Sequence, residues 1–252
     1  MSLSALVSAY PLIKTPLLLG GGLAFYIATT PPHGPPPKEE KEKYGKKDTL
    51  SRFFPWRQAA FSAMLSYVLS NAAENVLLIA RAFPTVSPAP TILSKLIDAP
   101  HAPHAGAASV GLPPAWLAGF VLLSLGGYLR WASYRHLGSL FTFHLTIRAE
   151  HRLVTSGPYA LVRHPGYLGA VFTVAGVCVC MFGPGSLLYE GGWLESLWGK
   201  ALRVGVALWS VGMSGALIAR VPTEDAMLRK EFGEEWVRWA KRVPYAVVPG
   251  IY

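Results

Sequence analysis

The sequence predicts an all-α membrane protein, a polytopic bundle of about five transmembrane helices followed by a C-terminal amphipathic interfacial helix. Only 15% of the 252 residues are charged, whereas about 25% is usual in soluble domains, and the mean hydropathy is +0.33. Five apolar runs are each long enough to cross a hydrocarbon core of about 30 Å. These runs lie near residues 12–30, 57–83, 113–136, 167–189 and 199–221.

The positive charges alternate between the loops that connect these runs. The net charge is +9, and its cations cluster after the first run, after the third run and in the tail, while the other two loops carry few before Lys200. This alternation follows the positive-inside rule for five spans and explains the charge without nucleic-acid binding. We therefore expect a lumenal N-terminus and a cytosolic C-terminus. The first run lacks a basic leader and is long for a signal peptide, so we expect it to be a retained span.

The first half of the chain, residues 1–136, is predicted to hold transmembrane helices joined by flexible cytosolic and lumenal loops. Pro31–Arg52 is proline-rich and then strongly charged, which is typical of a linker. Pro84–Pro114 is a second proline-rich stretch and contains His101 and His104. Two histidines three apart suit a metal site on a helix, but their Pro, Ala and Gly neighbours favour an irregular loop, so we predict no metal site.

Three kinds of polar or sulfur side chain interrupt the apolar runs. Glu74 is costly in hydrocarbon and should face the bundle interior with a partner. It is either a functional acid or part of a structural contact with the nearby Asn71 and Asn75. Cys178 and Cys180 are two residues apart on one helix and face different directions, so we expect lipid-facing or packing residues rather than a disulfide or a metal site.

The stretch Gly157–Gly169 predicts a site at the mouth of a membrane helix. Its thirteen positions contain two prolines, three glycines, two tyrosines, an arginine and a histidine, a composition that favours a shaped turn over a helix interior. His164 precedes Pro165, which predicts that the next helix starts at the proline. The preceding run Thr142–Ile147 alternates polar and apolar residues and could form a short extended segment.

Several ordered blocks from Leu137 to the C-terminus resemble the isoprenylcysteine carboxyl methyltransferase family, within the wider group of membrane methyltransferases that includes phospholipid N-methyltransferases. The blocks are His151–Val154, Thr155–Tyr159, Arg163–Gly169, Glu224–Leu228, Phe232–Trp236 and Arg242–Pro244. The resemblance implies S-adenosylmethionine as cofactor. It also implies a methyltransferase core over residues 137–252, formed by the cofactor loop, the last two transmembrane helices and the C-terminal helix.

The resemblance also implies which residues bind the cofactor. On the adenosine side these are His151, Arg152, Leu153 and Val154, and the remainder of the cofactor would be held by Tyr159, His164, Pro165, Gly166 and Tyr167. Glu224 would take the amino group of the methionine moiety. The chain departs from the family at two positions, because His144 stands where the family has a glutamine and Asp225 replaces the second of two glutamates.

The chemistry of Glu224 supports the same role, since a carboxylate and an ammonium form a charge-assisted hydrogen bond. The alternative is that Pro222–Asp225 forms the first turn of a helix, where acids complement the dipole. We favour that alternative for Asp225. In this interpretation Pro222 kinks or restarts the helix.

Two arginines are candidate catalytic residues. Arg220 either grips a substrate carboxylate with its planar fork or snorkels to the interface. Arg163 either lies close to the methyl acceptor or binds lipid headgroups. A carboxylate is already ionised near neutrality, whereas an amine must lose a proton and would be repelled by a guanidinium. The arginines therefore favour carboxyl methylation over amine methylation.

The predicted function is esterification of the carboxylate of a C-terminal prenylated cysteine by a multi-pass membrane enzyme of the endoplasmic reticulum. Partners would be prenylated protein C-termini or small prenylcysteines and membrane lipid, without nucleic acid or metal. The alternatives are a phospholipid N-methyltransferase and a non-catalytic protein that keeps the fold, to which only His144 points. A nicotinamide-dependent reductase is disfavoured because no glycine-rich fingerprint is present.

The tail, Ala226–Val243, has apolar residues near helical spacing with Arg and Lys between them. This pattern predicts an amphipathic helix on the cytosolic surface. Trp236 and Trp239 are expected to anchor it at the interface, although they could also close the cofactor pocket.

Overall fold

The computed structural model describes residues 9–34, 56–97, 106–146 and 151–252, and these residues form helices without strands. The α-helices are α1 (Thr15–Thr29), α2 (Trp56–Ala82), α3 (Ala89–Leu96), α4 (Pro114–Leu137), α5 (Pro165–Phe182), α6 (Leu187–Glu190), α7 (Leu197–Phe232) and α8 (Glu234–Arg242). Short 3₁₀ turns occur at Pro11–Lys14, Gly106–Ser109, Gly138–Leu140, Gly157–Ala160 and Trp193–Glu195.

Five helical segments are long and apolar enough to cross a membrane, which confirms the predicted number of spans. They are Pro11–Thr29, Phe61–Ala82, Pro114–Leu140, Pro165–Glu190 and Leu197–Phe232. Most of the predicted linker Pro31–Arg52, and the histidines His101 and His104, lie outside the described residues.

Glycines set the close packing of α4 against α5. A Cβ atom added to Gly126 would lie 2.5 Å from the backbone nitrogen of Thr173, and one added to Gly176 would lie 2.7 Å from the carbonyl oxygen of Gly119 and overlap the backbone of Leu123. Because backbone atoms cannot move aside, only glycine allows the two helices to approach this closely. This pair forms one wall of the site described below.

Gly176→Ala is expected to destabilise the fold by about 1–3 kcal/mol, because the added methyl group separates α4 from α5. Thermal unfolding in detergent would show a lower Tm. Gly212→Ala on α7 is the matched control, since a Cβ there meets nothing within 4 Å. An unchanged Tm in the Gly176 variant would contradict the packing described here.

The buried acid Glu74 faces the bundle interior with a partner, as predicted. The partner is Lys14, whose Nζ lies 2.5 Å from a carboxylate oxygen of Glu74. The neighbouring Asn75 donates instead to the carbonyl of Asn71 at 2.9 Å. The pair ties the start of α1 to α2, two helices that lie outside the region of family resemblance.

The two cysteines are packing residues, in agreement with the prediction. Cys180 is buried, and its Sγ lies 3.8 Å from the carbonyl oxygen of Trp116 on α4. Cys178 faces the other way, with its Sγ 3.4 Å from the hydroxyl of Ser210 on α7. Both thiols are free of disulfides.

Helix α7 continues through Pro222, so of the two effects predicted for this proline, a kink or a restart of the helix, the restart was wrong. A proline removes one backbone donor, and the hydrogen-bond ladder continues on both sides of it, as membrane helices commonly tolerate. The interpretation of Asp225 as a residue in the first turn of its own helix was also wrong, because that helix begins at Leu197. Arg220 and Glu224 consequently share one helix face.

Candidate functional site

The stretch Gly157–Gly169 is a 3₁₀ turn followed by the start of α5, which begins at Pro165 as predicted. Gly157 has a φ of +61° and packs against the imidazole of His136, so a side chain at this position would be strained and would also clash. The turn therefore requires glycine. By contrast, residues 143–145 form bends and not the extended segment that the alternation suggested for Thr142–Ile147, of which Ile147 lies outside the described residues.

The segment that follows α8 holds this turn in place. The backbone N–H groups of Arg163 and His164 donate to the carbonyls of Tyr245 at 3.0 Å and Ala246 at 2.7 Å. The Arg163 guanidinium also donates to the carbonyl of Pro244 at 2.6 Å. The C-terminal segment thus fixes the entrance to α5.

Asp225 clamps the same turn to α7. One of its carboxylate oxygens accepts from Arg163 Nε at 3.2 Å and Nη2 at 3.0 Å, and the other lies 3.0 Å from His164 Nε2. The Arg163 and Asp225 side chains are only 14% and 15% exposed. These contacts make Arg163 part of a structural clamp, and its expected contact with the acceptor or with lipid headgroups stays a prediction.

Asp225→Asn is expected to lower the free energy of unfolding by about 2 kcal/mol, a value below that of fully buried pairs because the clamp is partly solvated. The lost charge leaves the Arg163 guanidinium without its counterion. Thermal unfolding in detergent measures the effect. Asp225→Glu keeps the charge and should recover part of the stability, and equal Tm values for all three proteins would rule the clamp out.

Three side chains surround the carboxylate of Glu224. The hydroxyl of Tyr167 donates to Oε2 at 2.5 Å, and Arg220 Nε lies 3.9 Å from the same oxygen. His164 Nδ1 lies 3.7 Å from Oε1, and its ring stacks on that of Tyr167 with an interplanar angle of 9°. The Glu224 side chain remains 30% exposed, so it is oriented by these neighbours and still accessible to a ligand.

Arg220 points inward and not toward the membrane surface. Its side chain is 9% exposed, and its Nη1 donates to the carbonyl of Phe143 at 3.0 Å. A snorkelling arginine would have an exposed head, so the burial favours the alternative in which Arg220 acts inside the protein.

Arg130 is a buried arginine of the site that the sequence interpretation missed. Its Nε donates to the carbonyl of Ala28 at 3.0 Å and its Nη1 to that of Gly166 at 3.4 Å, while its guanidinium packs over the rings of Tyr134 and Phe143. It joins α1, α4 and the first turn of α5. The available signal was an arginine placed inside an apolar run, two helical turns before its end.

Tyr159 and Trp239 close one side of the site. The Trp239 indole N–H donates to the carbonyl of Tyr159 at 3.2 Å, and both side chains are buried. Trp239 is therefore not the interface anchor that we expected. Burial raises the pKa of the Tyr159 hydroxyl, which stays protonated in the physiological range. The predicted tail helix is also divided, because α7 ends at Phe232 and α8 starts at Glu234.

These groups meet at one end of a cavity of about 940 Å³. The polar end is lined by His144, Thr146, His151, Arg152, Tyr159, Arg163, His164, Tyr167, Arg220 and Glu224. The remainder is mainly apolar and runs between α2, α5 and α7, with residues such as Val174, Val177, Val206, Trp209, Met213 and Leu217 in its walls.

The cavity brings together almost every residue that the sequence singled out for the site. The residues that line it are His144, His151, Arg152, Leu153, Val154, Tyr159, Arg163, His164, Gly166, Tyr167, Arg220 and Glu224. Pro165 is the exception, since it is buried at the start of α5. This geometry places the residues, and their individual roles stay predictions.

The fold and the cavity define a polytopic helical protein whose described residues line a large, mainly apolar cavity with a polar end. Residues 117–188, which include α4 and α5, match the isoprenylcysteine carboxyl methyltransferase (ICMT) family. The resemblance stated from the sequence blocks is thereby confirmed.

Curated relatives agree with this match. Over 136 residues the chain is 31% identical to protein-S-isoprenylcysteine O-methyltransferase B of Arabidopsis thaliana, covering 52% of this chain and 59% of that protein. It is 28% identical over 127 residues to protein-S-isoprenylcysteine O-methyltransferase of Schizosaccharomyces pombe, covering 50% and 46%. A Delta(14)-sterol reductase of Neurospora crassa is 28% identical over 124 residues, 43% of this chain and 25% of that protein. The chain thus spans about half the length of the methyltransferases that it resembles.

Proposed function

We propose that this protein transfers a methyl group from S-adenosylmethionine to the carboxylate of a C-terminal prenylated cysteine. The observation that carries the proposal is the cavity, which combines a buried arginine and an oriented carboxylate at one end with an apolar chamber at the other. A prenylated cysteine has the same division, with a charged carboxylate joined to a long apolar chain. The similarity to isoprenylcysteine methyltransferases supports this choice.

The polar end has the donors and acceptors that S-adenosylmethionine requires. Glu224 would bind the ammonium of the methionine moiety through a charge-assisted hydrogen bond, and Tyr167 donates a hydrogen bond to the same carboxylate. The hydroxyl of Thr146 lines the cavity and is buried without a hydrogen-bond partner among the described residues. It is therefore available to a ligand. His151 and its neighbours would line the adenosine side.

In the proposed reaction, the protein aligns the methyl donor with the acceptor carboxylate and keeps water away from both. S-adenosylmethionine supplies an electrophilic methyl group on a sulfonium centre. Arg220 would bind one oxygen of the acceptor carboxylate and leave the other exposed toward the methyl donor. The acceptor is already ionised near neutrality and needs no general base. The apolar walls exclude water from this contact, which favours positioning as the main source of catalysis.

The remaining expectations follow as parts of this proposal. Residues 137–252 would form the methyltransferase core, and the helices of residues 1–136 would complete the wall of the cavity. The protein would reside in the endoplasmic reticulum membrane with its C-terminus and catalytic loops in the cytosol. Protease protection in sealed microsomes tests this topology, and a shielded C-terminal tail would contradict it.

The activity can be tested with the purified protein in lipid vesicles, labelled S-adenosylmethionine and S-farnesylcysteine. We expect a base-labile methyl ester on the farnesylated acceptor. Cysteine without a prenyl group is the control and should remain unlabelled, because it cannot fill the apolar chamber. If neither acceptor is labelled, the proposed function is wrong.

A further inference from the structure

We propose that the buried ion pair between Lys14 and Glu74 positions the end of the cavity remote from Arg220, and so sets the longest isoprenoid chain that the protein accepts. This inference rests on the proposed function and concerns its substrate range. The ion pair lies at the opposite end of the bundle from Arg220 and Glu224, and no step of the proposed chemistry uses it.

Three apolar side chains line the end of the cavity remote from Arg220, and Leu202 among them is 51% exposed. Phe182 from the end of α5, Leu188 from α6 and Leu202 from α7 line it. Phe182 and Leu188 also pack against a buried cluster that contains Tyr67. We call Gly183–Glu190, the segment that carries Leu188, the floor segment.

Both side chains of the ion pair form hydrogen bonds with the backbone of the floor segment. Glu74 Oε2 accepts a hydrogen bond from the N–H of Leu187 at 3.0 Å. Lys14 Nζ donates to the carbonyl of Gly185 at 2.8 Å. Within the segment, the N–H of Gly185 donates to Glu190 at 2.7 Å. Leu188 follows directly after the residue that Glu74 holds, so the position of the floor depends on this contact.

Both charged side chains are buried, so the backbone of the floor segment has few other hydrogen-bond partners. Lys14 is 0% exposed and Glu74 is 2% exposed, and the ammonium lies 4.2 Å above the ring of Trp116. Without water nearby, a backbone N–H released from Glu74 has few alternative acceptors, which ties the segment to one arrangement. Both charged residues lie outside residues 117–188, the part that matches the family, whereas Gly185 and Leu187, the residues that they contact, lie within it.

The cavity depth selects among isoprenoid lengths. Eighteen residues of α7 separate Arg220 from Leu202, a distance of about 27 Å at a rise of 1.5 Å per residue. An extended chain covers about 1.2 Å per bond, so about 20 bonds from a carboxylate oxygen to the last carbon of a twenty-carbon prenylcysteine span about 24 Å. A twenty-carbon chain therefore reaches the floor, a fifteen-carbon chain stops about one helical turn short, and a twenty-five-carbon chain does not fit.

The test compares methylation of S-prenylcysteines with fifteen, twenty and twenty-five carbons by three variants. Lys14→Met with Glu74→Leu removes both hydrogen bonds and replaces the ion pair with apolar side chains, a change that buried pairs often tolerate. Lys14→Met with Glu74→Gln is the matched control, because the amide oxygen can still accept from Leu187. Gly205→Leu shortens the chamber from α7, where a Cβ meets nothing within 4 Å.

In the Lys14→Met, Glu74→Leu double variant, we expect the ratio of kcat/KM for the twenty-five-carbon acceptor to kcat/KM for the fifteen-carbon acceptor to rise by about tenfold or more. This is the scale on which hydrophobic pockets discriminate chain size. The Gln variant should keep the wild-type ratio. Gly205→Leu should lower the twenty-carbon to fifteen-carbon ratio by a similar factor. A merely structural role of the ion pair would lower all three rates together and leave the ratios unchanged.

Two results would overturn the proposal. If Gly205→Leu shifts the ratio but the Glu74→Leu double variant does not, the ion pair does not position the floor. If neither shifts it, this end of the cavity does not receive the isoprenoid. If wild type methylates none of the acceptors, the proposed function fails separately. The increase in Tm that each of the three acceptors causes then measures the longest chain that binds, without catalysis.

Discussion

Arg220→Ala is expected to lower kcat/KM for a prenylated cysteine by about 100- to 1,000-fold, the scale of losing one preorganised charge-stabilising donor. The Arg220 side chain is 9% exposed and is held by its hydrogen bond to the Phe143 carbonyl, so alanine removes a donor that already lines the cavity. Arg220→Lys keeps the charge without the planar fork and should lose activity to a smaller extent. Initial rates over a range of acceptor concentrations measure the effect.

Arg229→Ala is the control for this variant, because Arg229 is an exposed arginine on the same helix. Its activity should equal that of wild type. Binding of S-adenosylmethionine by Arg220→Ala, measured by calorimetry, should change less than the acceptor kinetics do. Full activity of Arg220→Ala would mean that the arginine does not hold the acceptor.

Glu224→Gln is expected to raise the Kd for S-adenosylmethionine by about 10- to 100-fold, because a hydrogen bond between two charged groups contributes about 1.5–3 kcal/mol. The amide keeps the shape of the side chain and can still accept from Tyr167, so the loss isolates the charge. Calorimetry on the purified protein measures the Kd directly.

The matched control is Glu231→Gln, a charge removal at an exposed position on the same helix. It should leave the Kd unchanged, which separates a local contact from the general electrostatic field of α7. A Kd in Glu224→Gln equal to that of wild type would show that the ammonium is bound elsewhere. The acceptor contact of Arg220 could still hold in that case.

The five spans were predictable because each is a long apolar run, a signal contained within one segment of chain. The start of α5 was predictable for a similar reason, since His164–Pro165 restricts the backbone locally. The path of α7 through Pro222 was not. Local propensity favours a break there, but in a span the cost of exposing backbone groups to lipid keeps the helix intact.

The pairings within the site were harder to predict because they join distant residues. The sequence placed Glu224 and His164 in one site through family resemblance, yet it gave no sign that Asp225 would clamp Arg163. It also predicted that Glu74 needs a partner without identifying Lys14, since periodicity describes one helix and not the contacts between helices. The amphipathic pattern of the tail allowed Trp239 to lie either at the membrane surface or in the pocket. Only the packing of α8 on Tyr159 shows that the side chain is buried.

The central claim is that Arg220 and the apolar chamber select a carboxylate on an isoprenoid chain. The most direct measurement offers S-geranylgeranylcysteine and phosphatidylethanolamine together, in vesicles that contain the protein and labelled S-adenosylmethionine, and then treats the products with alkali. We expect the label on the prenylcysteine, released by base as methanol. A base-stable label on the phospholipid would contradict the account.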